Sequence, residues 1–74
     1  MIVTIMGKAY RMSRKESKKF LDQMKNNVPF GIYAVEKDGI IEMRNDQCKS
    51  RTKLKELKRT FKQQGYKVYS NTGD

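Results

Sequence analysis

Hydrophobic and polar positions alternate between two periods along the chain, and the switches between them mark six elements. Met1 to Met6 (M-I-V-T-I-M) is apolar and β-branched, so it predicts a strand. Gly7 follows, and Lys8 to Met12 is expected to extend that strand beyond a bulge or bend. The period then changes. Ser13-Arg14-Lys15-Glu16 has the spacing of a capping box, in which the serine hydroxyl and the glutamate carboxylate satisfy each other's backbone N–H groups. Ser17, Phe20, Leu21 and Met24 fall on one helical face behind it. Pro29 disfavours helix at Val28, so the helix is expected to end near Asn26 or Asn27.

Phe30 to Glu36 and Ile40 to Arg44 predict two strands joined at Lys37-Asp38-Gly39, a hairpin signal. A two-residue Asp-Gly turn would pair Ala34 with Met43. A three-residue loop would pair Tyr33 with Met43, and would turn the opposite face of the first strand inward. Asn45 to Lys49 is a polar connector. A second helix is expected from Ser50 or Thr52 to about Gln64, with Leu54, Leu57 and Phe61 at i, i+3 and i+7 and Gly65 as its left-handed stop. Tyr66 to Ser70 predicts a last short strand, and Asn71 to Asp74 a frayed tail.

The order strand–helix–strand–strand–helix–strand implies a small α+β domain over residues 1–70. Its simplest layout is a four-stranded antiparallel sheet with both helices on one face, a ferredoxin-like arrangement. Such a sheet leaves its other face open, which favours a homodimer through that face or an edge strand.

Composition narrows the chemistry. With 74 residues the chain has a thin core and room for one domain, so an internal catalytic cavity is not expected. Histidine is absent and Cys48 is the only cysteine, which excludes an internal disulfide and an imidazole or thiolate metal cluster. No cofactor is implied. The lone thiol and the lack of a long apolar segment suit the cytoplasm and no membrane. Cys48 precedes a basic helix, where cations and the helix dipole would lower its pKa, yet no base accompanies it. Glu36 and Glu42 lie on paired strands without a partner motif. No catalytic residues are assigned, and an enzyme is not expected.

The formal charge is +9, and it is segregated. Residues 49–62 hold Lys49, Arg51, Lys53, Lys55, Lys58, Arg59 and Lys62 against Glu56, a net of +6. Residues 14–25 carry +3, and the hairpin over 36–46 carries −2. Arg51, Lys55 and Arg59 recur every four residues, with Lys58 and Lys62 beside them. Together these five cover roughly a quarter of the helix circumference. Arg14, Lys18 and Lys25 share a flank of the first helix, and with both helices on one face the two flanks would merge.

Cations at Lys49, Arg51 and Lys53 also oppose the dipole at a helix N-terminus, a conflict that a bound anion relieves. The candidate site is therefore Arg51, Lys53, Lys55, Lys58, Arg59 and Lys62 with Arg14 and Lys18. The expected function is a non-enzymatic nucleic-acid-binding module, DNA or RNA, acting mainly through phosphates. The alternative is a protein-interaction module of phage or mobile-element type. It would dock an acidic partner, or an apolar one through exposed Ile2, Val35 or Ile40. Phe30 to Val35 lacks the spaced aromatic pair of an RNA-recognition sheet and is expected to be core or edge. Tyr33, Tyr66 and Tyr69 are expected to leave one or two rings exposed, and Tyr10 to pack beside the Gly7 bend.

Overall fold

The computed structural model describes residues 1–72. The expectation of a frayed tail at residues 73–74 lies outside them. The elements are β1 (Ile2–Ile5), β2 (Lys8–Arg11), α1 (Arg14–Asn27), β3 (Phe30–Lys37), β4 (Ile40–Gln47), α2 (Arg51–Gln63) and β5 (Lys67–Thr72). The class is α+β with two helices among the described residues, as the periodicity implies. The last strand runs through Thr72, two residues beyond the expected Ser70.

The sheet differs from the expected layout. It has five strands in the order β2-β1-β4-β3-β5, and it is mixed, because β1 lies parallel to β4. The extra strand comes from Met6-Gly7. Both residues take positive φ, 51° and 83°. That is the backbone of a two-residue hairpin turn matched to strand twist. Lys8 to Arg11 therefore returns antiparallel against β1, with Ile5 opposite Lys8, and does not extend it. A methionine in the left-handed region is a weak turn signal, which is why the reversal is not evident in the residues alone.

The Asp38-Gly39 turn is of the same kind, with φ of 54° and 77°. It sets the two-residue register, with Lys37 opposite Ile40 and Ala34 opposite Met43. A register shift between Ile32 and Ala34, against both β4 and β5, breaks the alternation of β3. Ile32 and Val35, three residues apart, consequently share one hydrophobic cluster, while Tyr33 and Ala34 belong to the other.

The two clusters show where the helices sit. Val3, Ala34, Ile41 and Met43 pack with Phe20, Leu21 and Met24 of α1. Ile32 and Val35 pack with Leu54, Leu57 and Phe61 of α2, and with Tyr66 and Val68. Successive side chains on a strand point to opposite faces. Ala34 and Val35 join different clusters, and β4 divides in the same way: Met43, opposite Ala34, belongs to the α1 cluster, while the guanidinium of the next residue, Arg44, lies 4.9 Å over the Phe61 ring of α2. The helices therefore cover opposite faces of the sheet, not one face.

Connection handedness supplies the reason. The pairings make β2 parallel to β3 and β4 parallel to β5. The α1 and α2 crossovers advance the same way across the sheet but leave from strands that run in opposite directions. Two right-handed crossovers can then exist only with one helix above the sheet and one below.

Local chemistry holds each helix in place. The capping box on α1 is complete: Glu16 N–H donates to Ser13 Oγ at 3.2 Å and Ser13 N–H donates to Glu16 Oε1 at 3.3 Å. Ser17 is buried, and its hydroxyl donates to the Ser13 carbonyl at 2.9 Å. Ser50 caps α2 by accepting from Lys53 N–H at 3.2 Å. Gly65, at φ 89°, ends it, with Tyr66 N–H returning to the Phe61 carbonyl. The Lys37 ammonium donates to the Gln64 carbonyl at 2.9 Å, placing a cation at the negative end of the helix dipole.

Candidate nucleic-acid interface

The apolar stripe of α2 decides which of its cations reach solvent together. Leu54 is buried, and Leu57 and Phe61 are half-buried against the sheet. At about 100° per residue, Arg51, Lys55, Lys58, Arg59 and Lys62 span an arc of roughly 100° on the flank beside Leu54. The structure brings all five onto one surface. Lys55, Lys58, Arg59 and Lys62 line a shallow open depression with Gln63. Arg51, Lys55 and Lys58 line a second one with Leu54 and Thr72. Among the described residues no carboxylate lines either. Among the described residues none of the five forms an ion pair.

Lys53 does not belong to this arc. It lies nearly half a turn away, with its ammonium 3.9 Å from Glu56 Oε2. Arg14 and Lys18 are exposed, but on α1, across the sheet from α2. The two basic flanks therefore do not merge, because the merger requires both helices on one face. Gln63 and Thr72 also border the surface. Their types carry no charge signal, and Thr72 reaches the site only through the pairing of β5.

The acidic residues on the α2 face lie toward β4 and are occupied. Arg44 bridges Glu42 and Asp46 while stacking on Phe61. These contacts, the Asp46 bond first among them, raise the Arg44 pKa further above its already basic value. Thr72 borders the arc from β5, the edge strand, so cations gather toward one edge and the carboxylates lie two strands inward.

The remaining chemical candidates have partners within the fold. Cys48 packs into the α2 cluster, and its thiol donates to the Asp46 carbonyl at 3.7 Å. Burial, followed by the nearby Asp46 charge, pushes the thiol pKa up, which corrects the expectation of a lowered one. The nearby lysines point to solvent and do not offset that burial. The Glu36 carboxylate accepts from the Tyr69 hydroxyl at 2.7 Å, while Glu42 is held by Arg44 on the other face. Among the described residues no group of three or more acidic or thiol side chains could hold a metal.

The aromatic rings are engaged as well. Phe61 and Tyr66 meet edge to face at 5.6 Å, and Tyr33 and Tyr69 lie 6.1 Å apart in the α1 cluster. Among the described residues Tyr10, on β2, is the only exposed aromatic. No helix is long and apolar enough to cross a membrane. Comparison of the chain with protein-family models, with curated proteins and with solved structures found no significant match to any of them.

Proposed function

We propose that the protein is a non-enzymatic nucleic-acid-binding module whose working surface is the exposed flank of α2. The observation that carries this reading is the shared surface of Arg51, Lys55, Lys58, Arg59 and Lys62, five cations that among the described residues have neither an ion-pair partner nor a bordering carboxylate. Like charges gathered on one helix repel one another, and a polyanion removes that repulsion. Phosphates bound there displace condensed counterions, so affinity falls steeply with salt. Arg14 and Lys18 are not part of this surface.

Binding to short oligonucleotides, followed as salt is raised, tests the reading. Each alanine substitution within the arc is expected to weaken binding to all sequences about equally and to lower the log–log salt slope by nearly one unit. Lys53→Ala is expected to have a smaller effect. Affinity weaker than roughly 100 μM at moderate salt, the weak limit of ordinary non-specific binding, rejects the proposal.

One observation favours a second reading, a protein-interaction module. Ile2 and Ile40 are register neighbours, both more than a third exposed, on the part of the sheet that α2 leaves uncovered. Val35, the third residue of that expectation, is fully buried. Two isoleucines with Met1 nearby make a small patch, and scattered exposed apolar residues are ordinary, so this reading ranks second. A self-association that disappears in Ile40→Glu, with nucleic-acid affinity absent, would reverse the order. A monomer mass at every concentration by sedimentation removes the homodimer.

A further inference from the structure

We infer that the α2 surface takes double-stranded rather than single-stranded nucleic acid. This inference rests on the nucleic-acid reading above and deepens it.

Proteins that hold single strands combine a basic groove with aromatic rings on which successive bases stack. Such rings must offer a free face beside the cations. Here the rings nearest the basic arc are already engaged. Phe61 carries the Arg44 guanidinium at 4.9 Å and Tyr66 carries the Lys37 ammonium at 5.3 Å, and the two rings also contact each other edge to face. Tyr69 belongs to the α1 side of the sheet, where Lys67 lies 5.1 Å over its ring. Phe30 packs in the α2 cluster and Phe20 in the α1 cluster. Exposed Tyr10 stands on β2, the far edge strand of the sheet from β5, which borders the arc. The linings of the two basic depressions contain no aromatic residue.

What remains is a row of cations carried on a rigid helix. From Arg51 to Lys62 the helix rises about 16 Å at 1.5 Å per residue. A duplex presents a phosphate charge about every 1.7 Å of its axis, held in place by its own stiffness. Cations carried on a rigid helix meet that dense, stiff array without ordering its backbone. A single strand must instead be fixed nucleotide by nucleotide, and without stacking only the phosphate contacts offset that loss of freedom.

The test compares duplex DNA of several unrelated sequences with the separated strands of the same length, each titrated across a salt series. Duplexes are expected to bind at least about tenfold more tightly than their strands, with a log–log slope near −4.5 for five phosphate contacts. Combining Arg51→Ala, Lys55→Ala and Arg59→Ala is expected to reduce that slope to about −2, with circular dichroism confirming that the variant stays folded. Equal or tighter binding to the strands overturns the inference and leaves the nucleic-acid reading standing. Absence of binding to every probe overturns both.

Discussion

A β-carbon at residue 31 would lie 2.0 Å from the Asp46 carbonyl oxygen and 2.9 Å from its carbon. Both are backbone atoms of the paired strand, so neither can swing aside. Gly31→Ala is therefore expected to destabilise the fold by more than the usual ~0.5–3 kcal/mol of a point substitution, measured by urea unfolding. Met6 presents the opposite case. It is 96% exposed and sits at φ 51°, where a side chain costs roughly 1–2 kcal/mol and gains no burial. Met6→Gly removes that cost and is expected to raise the unfolding midpoint. Ser13→Ala should lose about 1 kcal/mol, because it removes the hydroxyl that accepts from Glu16 N–H.

Among the elements, β5 is tied to the α1 face through Tyr69. Burial first, then the hydrogen bond to Glu36, raises the Tyr69 pKa above its ordinary value, and burial followed by the Asp22 charge raises that of Tyr33. The sign follows from the neutral phenol being the form the fold prefers. These groups contribute their full stability below about pH 10 and lose it as pH rises through the higher folded values. Stability is expected to fall on the alkaline side, and denaturant unfolding across that range measures it. Tyr69→Phe should cost about 0.5–1.5 kcal/mol at neutral pH and show a shallower alkaline loss. The helices differ in kind. α1 partly offsets its five cations with Glu16 and Asp22, whereas α2 has no acidic residue in its first turn and only Glu56 along its length.

At the scale of the whole molecule, the two helices place their basic flanks on opposite faces of the sheet. Each helix shields one apolar face of β3, the strand that contributes to both clusters. The α2 flank is left free to carry charge, and the Arg51, Lys55 and Arg59 substitutions there lie outside the core. They are expected to keep the fold, with stability unchanged or raised by reduced repulsion among the remaining cations. Leu54→Ala, by contrast, should cost about 2–5 kcal/mol, because that side chain is 3% exposed in the α2 cluster. Comparing thermal melts of the two sets of variants separates surface from core.

The residues by themselves determined what depends on neighbours within one turn or one hairpin. The Ser13–Glu16 box, the Gly65 stop, the Asp38-Gly39 reversal and the arc of cations on α2 are all set by local spacing, and each is legible before folding is considered. Three further features needed the tertiary structure. The Met6-Gly7 reversal depends on a conformation methionine seldom takes, and it becomes favourable once β2 pairs along β1. The hairpin register follows from the two-residue backbone that Asp38-Gly39 adopts, and the shift between Ile32 and Ala34 accompanies the division of β3 between the two helices' clusters. The separation of the basic flanks depends on strand order. Local sequence carries no signal for the side of the sheet on which a crossover passes, while the handedness of the connection does. That choice removed Arg14 and Lys18 from the candidate surface and left α2 to carry it alone.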